Sequence, residues 1–335
     1  MKVAVLAPVA WRTPPRHYGP WEQMAANLAE GLVAAGVDVT LFATADSVTT
    51  GTLAAVVPRG YEEDRTQDAK VLECLHISHL MERAGEFDLI HNHFDFLPLT
   101  YSRLISTPMV TTIHGFSSEK ILPVFEKYAA TSTYVSISHA DRSPRLPYAA
   151  TVYNGLRVAD FTFVERPDDY LLFLGRIHPD KGPAEAIQIA RHSGRRLLLA
   201  GIIQDPGYFD ECVKPYLSAT IEFLGPVEPE KRDLLLGYAA ALLHPIRFDE
   251  PFGLSVAEAQ LCGTPVIAFA RGAMPELIQP DQTGFLVHTV AEAVAAVARL
   301  GRLSRASCRE WAAANFSQEK MVADYLAVYQ KIIGG

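Results

Sequence analysis

Residues 245–259 place an anion-binding stretch of backbone between two carboxylates. The segment follows a short apolar run and opens a helical pattern. Pro251 suits the start of a helix, where its missing N–H is no loss. The free N–H groups of Phe252, Gly253 and Leu254 would then point out of the helix end, and Gly253 lets a ligand approach the backbone closely. Such an end accepts a phosphate or pyrophosphate. Glu250 and Glu258 stand on either side of it, seven residues between them. Two carboxylates do not share one pyrophosphate, so they would serve hydroxyl-rich groups flanking it. The same spacing also fits two surface glutamates at a helix start, which acidic residues favour.

A second segment carries the complementary charge. Phe173 and Leu174 end an apolar run, Gly175 opens a tight loop, and Arg176 and Lys181 are cations near enough to converge on one anion. Arginine binds phosphate oxygens bidentately, whereas lysine acts as a point charge. Alone, the loop is equally a turn with two solvated cations. Two anion-binding features at one sheet edge form a stronger pattern than either by itself.

Other residue groups suit chemistry less specifically. His91 and His93 have His-x-His spacing, which on a strand puts both rings on one face and could hold a metal beside Asp95. His93 is a candidate for acceptor contact. His76 and His79 share a helix face with acidic neighbours, and the reading there is solvated histidines. Ser138 ends an apolar run and could line the acceptor side or simply complete a turn. Cys74, Cys212, Cys262 and Cys308 form no Cys-x-x-Cys pair. Buried, unpaired thiols in a reducing cytosol follow.

These residues need elements to position them. Apolar runs rich in Val, Ile and Leu at residues 2–9, 37–43, 53–57, 88–91, 109–113 and 134–137 read as buried strands. A helical pattern at 21–34 separates the first two, making a βαβ unit and a parallel sheet. The alternation restarts at 170–174 and continues through 196–200, 220–224, 241–243 and 265–269. Residues 154–169 between the series carry Asn-Gly, charges, Pro167 and an Asp pair, a linker composition. Residues 317–333 form a final amphipathic helix. The chain therefore reads as an α/β protein of two doubly wound Rossmann-like domains, 1–155 and 169–312, with 313–335 as a closing helix. Ligands of such sheets bind beyond the carboxyl ends of the strands, so the interdomain cleft is the expected site.

Length and composition bound the function. At about 150 residues per domain, 335 residues predict two domains. A 49% hydrophobic and 20% charged chain is ordinary for a globular protein, and the net charge of −8 argues against a nucleic-acid binder. The short apolar start lacks the core of a signal peptide, and no run nears the 18 residues or so of a membrane span. A soluble cytoplasmic protein is predicted. Residues 61–86 hold seven acids against three bases, so stable docking on an anionic membrane is not expected.

On these residues the chain resembles the retaining nucleotide-sugar glycosyltransferases of family four, also called glycosyl transferases group 1, over nearly its whole length. Its most specific feature is the Glu-x7-Glu pair, Glu250 to Glu258, followed by Gly263 to Ile267. Gly175-Arg176 with Lys181-Gly182, Asn154-Gly155, Thr111 to Gly115 and Arg271-Gly272 to Glu276 also match. The resemblance implies the GT-B fold, in which parallel sheets face an interdomain cleft, and a hexosyl transfer from a nucleoside diphosphate sugar, UDP first and GDP second, to a soluble acceptor. Under it, Arg176 and Lys181 neutralise the diphosphate, helped by Gly175 and the backbone of Phe252, Gly253 and Leu254. Glu258 binds the ribose, Glu250 the donor sugar, and His114 lies by the sugar's reacting face. The final helix crosses back to the first domain. No cofactor and no metal are implied, since cations and helix N–H groups can stabilise the departing diphosphate.

One departure concerns the first loop. The family has two glycines there, then one further residue and a glutamate. This chain reads Gly19-Pro20-Trp21-Glu22, and Pro20 removes one backbone donor. Gly19 and Glu22 remain candidates for acceptor or phosphate contact. A sugar-nucleotide epimerase, a phosphorylase and a non-enzymatic nucleotide- or sugar-binding regulator are the alternatives. A phosphorylase needs a longer chain, and a regulator needs no stabilisation of a leaving group.

Overall fold

A computed structural model describes residues 1–116 and 118–334. The chain divides into two compact units, Met1–Gly155 with Gln318–Gly335, and Leu156–Ser317. The first contains strands β1 (Lys2–Leu6), β2 (Asp38–Phe42), β3 (Thr52–Ala54), β4 (Leu89–Asn92), β5 (Met109–Ile113), β6 (Thr133–Ser136) and β7 (Tyr148–Thr151). Its helices are α1 (Pro20–Ala34), α2 (Ala69–Met81) and α3 (Leu122–Tyr128). The second contains β8 (Tyr170–Leu174), β9 (Arg196–Ala200), β10 (Ile221–Phe223), β11 (Ala241–His244), β12 (Val266–Phe269) and β13 (Gly284–Val287). Around these lie α4 (Pro183–Ser193), the turn α5 (Pro206–Tyr208), α6 (Pro229–Tyr238), α7 (Leu254–Leu261), α8 (Met274–Leu277), α9 (Val290–Val297) and α10 (Arg305–Phe316). The last helix, α11 (Gln318–Ile333), belongs to the first unit.

Both sheets are parallel throughout, ordered β3-β2-β1-β4-β5-β6-β7 and β10-β9-β8-β11-β12-β13. Their central strands are buried on both faces, which is why they appear in the sequence as unbroken apolar runs. In each sheet the chain winds outward from a central pair, β1 beside β4 and β8 beside β11. Ligands of such sheets bind outside the strand carboxyl ends at this switch point.

The observed elements differ from the expected ones at the margins. β1 stops at Leu6, ahead of Pro8, which cannot donate to a ladder. The strands β7 and β13 were not anticipated: each has four residues, and β7 is a partly exposed edge strand. Residues 156–169 pack with the second unit, where Phe161 is buried and its carbonyl accepts from Arg309 Nη1 at 2.9 Å. Among the described residues, no helix is long and apolar enough to cross a membrane. Cys262 and Cys308 are buried free thiols, but Cys74 is exposed, on the outer side of α2.

The helix α11 closes the first unit by burying Met321, Val322, Tyr325, Val328 and Tyr329 with Ala25, Leu28, Ala29 and Leu32 of α1 in one apolar cluster. It also adds polar bonds beneath the sheet edge. The Tyr329 hydroxyl bonds His91 Nδ1, while Thr112 Oγ1 bonds His91 Nε2 at 2.7 Å and the Tyr325 hydroxyl at 2.6 Å. Tyr329→Phe keeps the ring but strips a buried imidazole of one partner. A loss of about 1–3 kcal/mol is expected for that. Denaturant unfolding followed by the fluorescence of Trp11 and Trp21 in a Trp311→Phe background measures it, and an unchanged midpoint would remove the network from the stability of this unit.

Candidate active site

The second unit's switch point joins two loops. The loop after β8 carries Gly175 to Lys181, and the loop after β11 leads into α7. They touch backbone to backbone at Gly182, whose φ is +74° and where an added Cβ would lie 2.0 Å from the Pro245 carbonyl oxygen. Only glycine fits both conditions. The Arg247 N–H donates to the Asp180 carbonyl at 2.7 Å and locks the same contact. Lys181 is thereby held with its ammonium on Glu250 Oε2 and 4.9 Å from the centre of the Phe248 ring. The two paired side chains are only 15% and 14% exposed, so the pair is partly withdrawn from water.

Gly253 caps α7 with φ +101° and lies against this pair: its added Cβ would stand 3.8 Å from Glu250 Cγ and 2.6 Å from Met274 Cε. Gly253 O accepts from Val256 and Ala257, and the N–H groups at the start of the first turn have no intrahelical acceptor. Leu254 opens the helix, and Phe252 is buried edge-on to Phe316 at 5.7 Å. Glu250 is fixed through its main chain, since its carbonyl accepts the Ala273 N–H at 2.9 Å, and Gly272 N–H donates to Asp249 Oδ1 at 3.3 Å. Gly175, whose N–H bonds the Ala200 carbonyl at 3.0 Å, lies beside the Lys181 stem. The structure therefore brings Gly175, Lys181, Glu250 and Gly253 together.

Arg176 and Glu258 point elsewhere. The Arg176 guanidinium donates to Gln204, and Glu258 is buried on α7 with Arg232 at 3.5 Å. Burial raises the Glu258 carboxyl above its ordinary range, and Arg232 opposes this. The sequence reading did not single out Phe248, Arg232 or His244. His244 could have been suspected from its place at a strand end, six residues before Glu250.

In the first unit, the histidines gather at the carboxyl ends of β4 and β5. His93 Nδ1 bonds His114 Nε2 at 2.9 Å, the His91 and His93 rings are 4.3 Å apart, and Trp21 stacks on His114 at 5.6 Å. Burial lowers the pKa of all three, His91 and His114 to about 3, so they are neutral imidazoles at pH 7. They form a hydrogen-bonded and stacked cluster, and among the described residues no group of three His, Cys, Asp or Glu is placed to hold a metal ion. Trp21, at the start of α1, carries no signal of this stacking in the sequence. Gly19 is the N-cap of α1 with Pro20 in its first turn, and Glu22 is buried there, accepting the Trp11 N–H at 3.2 Å. Burial pushes the Glu22 carboxyl up to about 7. Ser138, fully buried just beyond β6, accepts the Asp141 N–H at 3.0 Å.

His76 departs from its reading as a solvated residue. It is fully buried, with Nε2 2.9 Å from the Ala7 carbonyl, because α2 turns this position toward β1.

Two doubly wound units, the second with a lysine–glutamate pair beside the start of α7, define a two-domain α/β protein. Residues 161–315 match the family described as Glycosyl transferases group 1, and residues 22–159 match Glycosyltransferase Family 4. The chain belongs to this glycosyltransferase family, and its fold is GT-B. The D-inositol 3-phosphate glycosyltransferase of Mycobacterium tuberculosis (strain ATCC 25618 / H37Rv) is 35% identical over 181 residues, covering 48% of this chain and 37% of the relative. The match thus spans little more than a third of that relative's length. AviGT4, a glycosyltransferase involved in avilamycin A biosynthesis, is 26% identical with a TM-score of 0.76, covering 100% of this chain and 98% of AviGT4. Alr3699/HepE from Anabaena, solved in complex with UDP, shares the fold at 17% identity and a TM-score of 0.74, covering 99% and 100%.

Proposed function

We propose that the protein is a cytoplasmic, retaining glycosyltransferase that moves a hexosyl group from a nucleoside diphosphate sugar, UDP first and GDP second, to a hydroxyl of a soluble acceptor. The observation that carries this reading is the partly buried Lys181–Glu250 pair set against Gly253 at the start of α7. UDP and UDP-glucose bound to Alr3699/HepE support the choice of donor class.

In this reading the bond from the anomeric carbon to the diphosphate oxygen breaks while a bond to the acceptor oxygen forms on the same face. The leaving phosphate takes the acceptor's proton, so no enzymic nucleophile or separate base is assigned. Negative charge grows on the diphosphate as the bond breaks, and preorganised donors stabilise it most. Lys181, Arg176 and the N–H groups from Phe252 to Leu254 supply those donors with no metal or cofactor in the scheme. Arg176 reaches the diphosphate by leaving Gln204. Glu250 accepts hydrogen bonds from the sugar hydroxyls, and Glu258 accepts those of the ribose. The first unit serves the acceptor and the reacting sugar through His114, with Gly19, Glu22, His93 and Ser138 at the same sheet edge. A neutral His114 can donate to or accept from a hydroxyl, but it carries no charge to compete with Lys181 for the diphosphate.

Incubation with a panel of UDP- and GDP-sugars and an acceptor library, read by nucleotide release, tests the reading. Proton NMR of the product reports anomeric configuration. Transfer with retention is expected. Inversion would overturn the stereochemistry, and tight nucleotide binding without turnover on any acceptor would favour a regulator instead. Glu258→Ala should weaken UDP binding by about 1–3 kcal/mol through lost ribose hydrogen bonds. Titration calorimetry measures it, and an unchanged affinity removes Glu258 from the nucleotide site.

A further inference from the structure

His244, the last residue of β11, is 5% exposed, and its Nε2 is buried with no hydrogen-bond partner. Buried polar atoms are nearly always paired, so one left open beside a candidate site calls for a partner in another state of that site. Glu250 Oε2 lies 3.8 Å from it, just beyond hydrogen-bond reach, and is engaged by Lys181. We propose that His244 is a positioning residue: it takes over the Glu250 carboxylate when Lys181 turns to the diphosphate of a bound donor. The proposal rests on the donor-binding reading above.

The geometry supplies both halves of this exchange. Lys181 cannot hold Glu250 fully and place its three N–H donors around a diphosphate at once. When it turns, a carboxylate only 14% exposed loses its cation. A carboxylate left at that depth without a partner is costly and loses the contact that fixes its orientation toward the sugar hydroxyls. A hydrogen bond from His244 Nε2–H replaces the lost partner, and a shift of about 1 Å closes the present gap of 3.8 Å. A neutral donor suits the place better than a second cation, which would repel Lys181 and compete for the same phosphate. Burial keeps His244 neutral, lowering its pKa to about 4 against the pull of Glu250. His244 also directly precedes Pro245, whose carbonyl packs on Gly182, so the element that presents Lys181 is anchored next to the one that presents the imidazole.

The test pairs a crystal structure of the wild-type protein soaked with UDP with donor kinetics of His244→Leu and His244→Gln. Lys181 Nζ is expected on the diphosphate, with Glu250 within about 3.2 Å of His244 Nε2. His244→Leu should lower kcat at least about tenfold while donor KM stays within about twofold, and His244→Gln, whose amide N–H reaches the same region, should recover most of the rate. A merely structural role would not give that rescue. With UDP on Lys181, a Glu250 that stays apart from His244 overturns the inference and leaves the donor reading standing. A leucine variant with wild-type kcat, or a glutamine variant as slow as the leucine one, overturns it too. If UDP binds away from Lys181, the donor reading fails and takes the inference with it. Should His244→Leu not fold, the UDP-bound structure and the glutamine variant decide.

Discussion

Lys181→Ala is expected to lower turnover by about 10²–10³-fold, the usual cost of losing one donor to charge that develops in a transition state. Lys181 is the ammonium that the structure places beside both Glu250 and the start of α7. Its loss leaves the growing charge of the diphosphate to Arg176 and to backbone dipoles. The fold should survive, because the side chain lies outside the apolar cluster beneath the second sheet. Removing one partner of a partly buried pair also leaves Glu250 less well matched, so Lys181→Arg is the control. It keeps the charge but not the compact geometry, and an intermediate rate is expected. Steady-state nucleotide release with the best donor measures both variants. A wild-type rate in Lys181→Ala would remove this residue from the chemistry.

The second large effect is expected from a glycine. Gly182→Ala places a methyl group where the Pro245 carbonyl oxygen now lies, at φ +74°, in the left-handed region that side chains avoid. The backbone conformation alone costs about 1–3 kcal/mol, and the contact with Pro245 forces the loop to move as well. The loop carries Lys181, so the shift separates the ammonium from Glu250. Stability and turnover should fall together, with kcat approaching that of Lys181→Ala. Thermal unfolding and nucleotide release read the two effects. A variant with wild-type stability and rate would show that the loop tolerates displacement and that Lys181 needs no such clamp.

Much of this site could be read before any fold was known. Glu250, Gly253 and Lys181 announce themselves because anion chemistry needs particular residue types at particular places: a glycine where the helix opens, a lysine in the loop after the neighbouring strand. The strands were recognisable for a related reason, since parallel strands buried on both faces leave continuous apolar runs. Side-chain direction was not readable. Arg176 turns to Gln204 and Glu258 to Arg232, pairings set by which residues α6 and the loop after β9 bring alongside. His76 reads as a surface residue by its neighbours in sequence, yet the rotation of α2 buries it on the Ala7 carbonyl. His244 carries no motif of its own. Its meaning arises only from a 3.8 Å separation across a loop and from a buried nitrogen without a partner. The strand β7 escaped because it is a partly exposed edge strand and leaves no buried apolar run in the sequence.

In the proposed function the second unit binds the diphosphate of a nucleotide-sugar donor through Lys181 at the start of α7. Calorimetric titration of UDP and GDP into the wild-type protein and into Lys181→Ala tests it most directly. One nucleoside diphosphate should bind the wild-type protein with one-to-one stoichiometry, and the alanine variant should bind it at least about tenfold more weakly, as expected for a lost hydrogen bond to a charged group. Equal affinity in the two proteins, or no binding of either nucleotide to the wild type, would contradict the account.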